Sequence, residues 1–118
     1  IAIDLDKLKM INDTLGHHEG DIAITLLANA IEASIRKSDY AIRLGGDEFC
    51  VILVDAEPDM DTRLPERIAS HLRTVAPEKD IRFSSGSYSM KPNDTLHNAY
   101  TASDEQLYLN KHQNHQRS

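Results

Sequence analysis

Some segments of the chain carry short runs of apolar residues that are typical of strands, and others carry apolar residues at the spacing of a helix. Residues 1–5 form a short apolar run that is typical of a strand. Residues 7–15 are predicted to form a short helix, because Gly16 follows where glycine commonly ends one. Apolar positions then recur at helical spacing, which predicts an amphipathic helix over 21–37 with Asp21 as its N-cap.

The rest of the chain continues this alternation of strands and helices. Apolar runs predict strands at 40–44 and 48–54, joined by a tight turn. A helical pattern marks 64–75, a half-buried strand follows at 81–85, and Asp94 is predicted to cap a last helix. This order predicts an α+β sandwich of the ferredoxin-like type, in which helices pack around one central antiparallel sheet.

The turn between the two middle strands carries the clearest chemistry. Gly45 and Gly46 are predicted to supply positive φ and close backbone access, and Asp47 and Glu48 follow them at the edge of the sheet. A second acidic cluster, residues 4–6, ends the first strand in the same way. Carboxylates on neighbouring strand ends form an oxygen-ligand site that suits Mg²⁺. The alternative is a hairpin with ordinary turn residues.

Several segments in a fixed order decide between these interpretations. Residues 45–49, Gly-Gly-Asp-Glu-Phe, resemble the motif of the GGDEF domain of diguanylate cyclases, which join two GTP molecules into cyclic di-GMP. Residues 4–13 resemble that family's D-x-D-x-F-K-x-x-N-D, and residues 16–21 resemble its G-H-x-x-G-D. Residues 102–111 resemble its A-D-x-A-L-Y-x-A-K helix. The resemblance therefore extends over nearly the whole chain.

The resemblance implies a palm-type nucleotidyl cyclase fold and a metal-dependent reaction. Asp4, the backbone carbonyl of Leu5 and Asp47 match the family's ligands for Mg²⁺ or Mn²⁺. Glu48 matches a residue that helps to ionise the 3′-hydroxyl of GTP or holds a second metal ion. Asp47 and Glu48 are therefore the expected catalytic residues. Bound metal would neutralise the triphosphate and activate the hydroxyl for in-line phosphoryl transfer.

The resemblance also implies a surface that binds GTP. Asn12 and Asp21 match the guanine readers, since a carboxylate accepts from the N1–H and N2–H₂ edge and an amide can pair with O6 or N7. Lys9 and Lys111 match lysines that contact phosphates. The expected substrate-binding set also includes Leu8, Gly45 and Gly46.

A second binding site is implied just before the glycine turn. Residues 36–39, Arg-Lys-Ser-Asp, resemble the R-x-x-D inhibitory site of many diguanylate cyclases, in which the guanidinium binds phosphate and guanine of the product. Arg36 and Asp39 are its expected residues, with Arg67 as a possible second arginine. The alternative is the end of a helix with an exposed ion pair, which would contribute little to stability.

Composition sets the frame for these sites. The 118 residues predict a single domain, 1–118, that lacks the helix which the family places before the first strand. A net charge of −6 argues against nucleic-acid binding. No apolar run is long enough to span a bilayer, and Cys50 as the single cysteine excludes an internal disulfide. We expect a cytoplasmic domain joined to a sensory domain in a longer parent chain, and a membrane anchor in that parent chain is compatible with this location.

Three functions fit this sequence. The first is a diguanylate cyclase half-site, in which two domains form a homodimer with two antiparallel GTP molecules. The second is a degenerate domain that senses GTP or cyclic di-GMP without catalysis. Leu8 and His115 favour this second function slightly, because the family has phenylalanine and arginine at these positions. The third is a purely structural dimerisation domain within a sensor protein.

Overall fold

A computed structural model describes the backbone of residues 1–117 and the side chains of residues 1–112. The elements in chain order are β1 (Ala2–Leu5), α1 (Leu8–Leu15), α2 (His17–Ser34), β2 (Tyr40–Gly45), β3 (Glu48–Ile52), α3 (Met60–Val75), β4 (Phe83–Gly86) and α4 (Leu96–Arg117). The strands form one antiparallel sheet in the order β2-β3-β1-β4. This is the predicted α+β fold with helices around a central sheet, and the prediction is confirmed.

The first strand lies in the middle of the sheet, and its alternating side chains separate two faces. On one face Ile3 and Leu5 are fully buried in a core that also contains Phe49 and Val51 of β3. Helices α2 and α3 supply the rest of this core, through residues that include Leu27, Ile31, Leu64 and Ile68. The other face of β1 presents Asp4, and α4 covers it.

Helix α4 lies against the sheet with its backbone in close contact with β4. A Cβ atom built on Gly86 would lie 2.2 Å from the backbone nitrogen of Leu107 and 2.3 Å from the carbonyl oxygen of Ser103. Only glycine therefore permits this approach. Ser103 and Leu107, both residues of α4, are buried at this contact. The position of α4 on the sheet is fixed by this contact.

The helix predicted over 21–37 begins earlier than expected, at His17. Gly16 precedes it with φ of 93°, a conformation that favours glycine. Asp21 consequently lies inside α2, so its predicted role as an N-cap is wrong. Apolar periodicity could not reveal the first turn, because that turn is made of polar residues and Gly20.

The last helix also begins differently from the prediction. The Thr95 hydroxyl accepts a hydrogen bond from the Asn98 N–H at 3.1 Å, which is the geometry of a side-chain cap. Asp94 instead accepts hydrogen bonds from the Tyr88 hydroxyl and the Lys91 N–H, both at 2.7 Å. It therefore organises the turn before the helix.

Within the described residues, no helix has the length and apolar character that crossing a membrane would require.

Candidate active site

The acidic residues of two separate segments meet where β1 and β3 lie side by side. Asp4 of β1 is the direct cross-strand neighbour of Glu48 of β3. The Leu5 N–H donates to the carbonyl oxygen of Asp47 at 2.9 Å, which ties the glycine turn to the end of β1. Asp4, Asp47 and Glu48, predicted from the sequence as one cluster, are thus brought to the same end of the sheet.

Asp4 is the most perturbed carboxylate of this cluster. Its side chain is 20% exposed, and Oδ2 accepts a hydrogen bond from Lys111 Nζ at 2.8 Å. Oδ1 is buried and has no partner among the described side chains and backbone. Burial raises the pKa of Asp4 to about 6, with a further rise from Asp47, although Lys111 opposes it. Burial lowers the pKa of Lys111, but its hydrogen bond to Asp4 and the negative charges of Asp4, Asp6 and Asp47 together leave a net rise.

Glu48, like Asp4, accepts a hydrogen bond from a side chain of α4. The Tyr100 hydroxyl donates a hydrogen bond to Glu48 Oε1. Tyr100 and Lys111 are both on α4, and their spacing of eleven residues makes just over three helical turns, so the two side chains leave the helix on one side. Tyr100 was not among the predicted site residues, although its spacing from Lys111 on one helix face was a usable signal.

The donor set of this cluster fits a hard divalent cation. Asp4 and Asp47 are neighbouring carboxylates, and one buried oxygen of Asp4 has no partner among the described residues. These are the oxygen ligands that Mg²⁺ prefers. Across the side chains of residues 1–112, however, no three His, Cys, Asp or Glu residues are arranged to hold a metal ion. Tyr100 occupies Glu48 Oε1 in this arrangement.

The two glycines of the turn differ from their prediction. Neither Gly45 nor Gly46 has a positive φ, so that part of the prediction is wrong. A Cβ atom built on either would meet no atom of the described chain within 4 Å. Arg43 donates to the Gly46 carbonyl oxygen at 2.7 Å and braces the turn. The fold itself therefore does not require glycine here, and the space above both residues is open.

The predicted guanine readers lie on two consecutive helices, Asn12 in α1 and Asp21 near the start of α2. A Cβ atom built on Gly20 would lie 1.8 Å from Asn12 Oδ1 and 3.3 Å from a methyl carbon of Leu8. Gly20 thus makes room for these two side chains of α1. Asp21 and Lys9 are exposed, as a surface open to a ligand requires. Gly20 was not among the predicted site residues, and its contact with Asn12 explains the second glycine of the segment 16–21.

The predicted product site forms a groove of about 200 Å³ between the end of α2, the end of β3 and α3. Arg36 donates to the carbonyl oxygens of Val54 at 2.5 Å and Asp55 at 3.3 Å. Asp39 accepts from the Val54 N–H at 3.0 Å and the Arg36 N–H at 2.9 Å. Burial opposes the effect of these two bonds, yet they hold the pKa of Asp39 below its ordinary value.

The groove also gathers two arginines from α3. Arg67 donates to the Ser34 carbonyl oxygen at 3.0 Å, which fixes it at the end of α2. Arg63 lines the same groove and pairs with Glu57 at 3.2 Å. The structure therefore brings together Arg36, Asp39 and Arg67, as the sequence predicted, and adds Arg63. Arg63 lies one helical turn before Arg67, which was the available signal for it.

Comparison with known proteins assigns the chain to a family. The family model described as diguanylate cyclase, GGDEF domain, matches residues 1–117. The chain belongs to the GGDEF domain family. This GGDEF domain is 70% identical over 118 residues to the probable diguanylate cyclase DgcJ of Escherichia coli K12. The match covers all of this chain and 24% of that protein, so the chain spans about a quarter of its relative's length.

Two solved structures show how closely the fold is shared. The active GGEEF domain of a diguanylate cyclase from Vibrio cholerae superimposes with a TM-score of 0.81 at 28% identity, over 95% of this chain and 74% of that one. The GGDEF domain of DgcB from Caulobacter crescentus, solved in complex with c-di-GMP, gives a TM-score of 0.78 at 26% identity, over 94% and 70% of the two chains. The fold of this GGDEF domain is thus that of its family.

Proposed function

We propose that this domain is one half of a diguanylate cyclase active site, which binds one GTP and works as a two-fold dimer. The observation that carries the proposal is the acid cluster at the ends of β1 and β3, with Asp4 Oδ1 buried and unpartnered among the described residues. A buried oxygen without a hydrogen-bond partner destabilises the fold. The presence of such an oxygen on Asp4 therefore favours a role in binding a ligand.

The proposed reaction joins the two nucleotides through two equivalent steps. The 3′-hydroxyl oxygen of each GTP attacks the α-phosphorus of the other, and the bond from that phosphorus to the bridging oxygen of the β-phosphate breaks. Each step releases one pyrophosphate and one hydroxyl proton, and the product is cyclic di-GMP. Asp47 and Glu48 are the groups proposed to accept that proton, because they lie on the open turn at the strand ends.

Each chain contributes the rest of the site with its own side chains. Asn12 and Asp21 are proposed to read guanine, and Lys9 and Lys111 to contact phosphates. The open space above Gly45 and Gly46 allows phosphate oxygens to approach the backbone of the turn. The side chain of His115, which stands where the family has arginine, lies outside the described residues.

A divalent cation, Mg²⁺ or Mn²⁺, is the proposed cofactor of this reaction. Asp4, the Leu5 carbonyl and Asp47 would hold it, and Glu48 is the candidate ligand for a second ion. Such an ion supplies the positive charge that the triphosphate and the attacking hydroxyl need. Lys111 would then leave Asp4 and turn to phosphate, since one carboxylate oxygen cannot keep both cations equally well.

The decisive experiment is product detection with a matched variant. Purified protein, GTP and Mg²⁺ should yield cyclic di-GMP and pyrophosphate in chromatography. Asp47→Asn should lower the rate by about 100-fold or more, because it removes a charge from the transition-state site. Glu66→Gln removes an exposed carboxylate of α3 and should leave the rate unchanged. Product in excess EDTA, or an active Asp47→Asn, would rule out this mechanism.

The second candidate function is a module that binds nucleotide without turnover. The Lys111–Asp4 ion pair favours it, because it already neutralises the carboxylate that a metal would need. Calorimetry with GTP and with cyclic di-GMP separates the candidates: binding without product formation supports a sensor, and binding of neither supports a structural domain.

We also propose that cyclic di-GMP binds the groove formed by Arg36, Asp39, Arg63 and Arg67 and inhibits the cyclase. Three guanidinium groups offer more donors than the backbone carbonyls and Glu57 use, since each carries five N–H groups. The DgcB domain from Caulobacter crescentus, which shares this fold, was solved with c-di-GMP. The ligand can inhibit only if it prefers an arrangement in which two half-sites stay apart.

Calorimetry on Glu48→Gln protein tests this site without turnover. Cyclic di-GMP should bind that variant, and an added Arg36→Ala should weaken binding by at least about tenfold, because it removes a charge-assisted contact. Arg73→Ala, at an exposed position of α3, is the control. Thermal unfolding is followed in parallel, because Arg36 also holds Val54. If the Arg36→Ala protein binds cyclic di-GMP as tightly as before, residues 36–39 form only the end of a helix and are not part of a binding site.

The longer protein to which this domain belongs is also a matter of proposal. Because the chain spans about a quarter of its curated relative, we propose that a sensory domain in the parent chain controls pairing of the half-sites. The presence of a single cysteine, Cys50, and a GTP substrate both favour a cytoplasmic location.

A further inference from the structure

We propose that Tyr100 is a positioning residue for Glu48, an inference that rests on the proposed function. The Tyr100 hydroxyl donates to Glu48 Oε1 across 52 positions of sequence. Both side chains are partly buried, so the bond is shielded on the side of α4. Oε2 of the same carboxylate takes no part in this bond.

The donor, Tyr100, lies on a helix that packs closely against the sheet. Helix α4 contacts β4 through its backbone at Gly86, where a Cβ atom would lie 2.3 Å from the Ser103 carbonyl oxygen. Ser103 follows Tyr100 by three residues, so the phenol is less than one turn from this fixed point. A glutamate side chain is flexible, and a fixed donor selects one of its rotamers before any ligand arrives. Glu48 is therefore pre-oriented beside Asp4, its cross-strand neighbour.

The competing interpretation is that Tyr100 only fastens α4 to the sheet. Both interpretations predict that Tyr100→Phe lowers thermal stability, so stability cannot separate them. They differ at the acid cluster. A positioning role predicts weaker binding of a divalent cation, since residues that orient metal-binding carboxylates typically change metal affinity by 10–100-fold when they are replaced. A fastening role predicts no such change while the protein stays folded.

The experiment measures Mn²⁺ binding by calorimetry in the absence of nucleotide. Tyr100→Phe keeps the ring and removes only the hydroxyl. Tyr108→Phe is the matched control, because Tyr108 lies on the same helix with 63% of its surface exposed. Tyr100→Phe should weaken Mn²⁺ binding by about tenfold, and Tyr108→Phe should not. In Glu48→Gln protein, the added Tyr100→Phe should have little further effect, because the neutral amide that Tyr100 would then orient is a much weaker ligand for a divalent cation than a carboxylate.

Each outcome bears on the inference separately from the proposed function. Equal Mn²⁺ affinity in Tyr100→Phe and wild-type protein overturns the inference, and so does a full tenfold loss in the Glu48→Gln background. Wild-type protein that binds no Mn²⁺ overturns it as well. Failure of the wild-type protein to make cyclic di-GMP would end the proposed function alone. In active protein, Tyr100→Phe should lower kcat about tenfold with KM for GTP nearly unchanged.

Discussion

Lys111 Nζ lies 2.8 Å from Asp4 Oδ2, and this ion pair joins two residues that are 107 positions apart. It connects α4 to the central strand of the sheet at the proposed metal site. Both partners are largely buried, with 28% and 20% of their side chains exposed. The lysine therefore occupies, with its own charge, a place that a divalent cation would compete for.

Removal of Lys111 should strengthen metal binding in the absence of nucleotide. Lys111→Met takes away the competing charge and keeps much of the side-chain volume, so Mn²⁺ affinity should rise by about tenfold, the equivalent of a modest partly buried ion pair. Calorimetric titration measures this directly. Lys91→Met, at an exposed lysine, is the control. Weaker Mn²⁺ binding in Lys111→Met would mean that the lysine supports the metal site and does not compete with the ion.

Asp4 should make stability depend on pH in an unusual direction. Its pKa in the folded state is about 6, above the ordinary value of 3.8, so the folded protein holds the proton more tightly than the unfolded chain. This contribution to stability is complete below pH 4 and is lost as the pH rises through 6. Relative to Asp4→Asn, wild-type protein should lose at most about 3 kcal/mol between pH 4 and pH 7.

Urea unfolding of both proteins at several pH values measures this difference. Mutation of Asp61, an exposed carboxylate of α3, to asparagine provides the control for a general charge effect. Parallel stability curves for wild-type protein and Asp4→Asn would contradict the assigned burial of Asp4.

Gly45 and Gly46 should be dispensable for folding and necessary for the substrate. A Cβ atom at either position meets no atom of the described chain within 4 Å, and neither φ is positive. Alanine at each should therefore leave the free energy of unfolding unchanged or raise it by about 0.4–1 kcal/mol. GTP binding should weaken, because the methyl group fills the space proposed for phosphates. Gly16→Ala, at φ of 93°, should instead destabilise the fold. Normal GTP affinity in both alanine variants would place the phosphates elsewhere.

Gly20 should matter for the choice of base. Its Cβ atom would lie 1.8 Å from Asn12 Oδ1, so Gly20→Ala must displace the Asn12 amide. The preference for GTP over ATP should fall by about tenfold, as for the loss of one polar contact. Competitive binding of the two nucleotides measures the ratio. Thr25→Ala, at an exposed position of α2, is the control. If Asn12 reads guanine, Gly20→Ala should add nothing to Asn12→Ala, and an additive loss would point to another reader.

The class of fold, the order of its elements and the acid cluster could all be predicted from the amino-acid sequence. Periodicity of apolar residues reports local burial, and it therefore indicated β1, β3 and most of α2. Asp4, Asp47 and Glu48 could be predicted together because each follows or begins an apolar strand, and the ends of paired strands meet. Helix starts were harder to predict, since several neighbouring polar residues, Asp94 and Thr95 among them, could equally have capped the last helix, and only Thr95 does so.

The distant side chains that contact this cluster could not be predicted, because their positions depend on how the helices pack against the sheet. Lys111 pairs with Asp4, and Tyr100 donates a hydrogen bond to Glu48. Both contacts depend on the position in which α4 packs against Gly86. The same holds for the arrival of Arg63 in the groove at the end of α2. Spacing along a chain records what a residue's own helix or strand buries. It does not record the docking of elements that are 50 or 100 residues apart, because that depends on the shape of all the surfaces in contact at once.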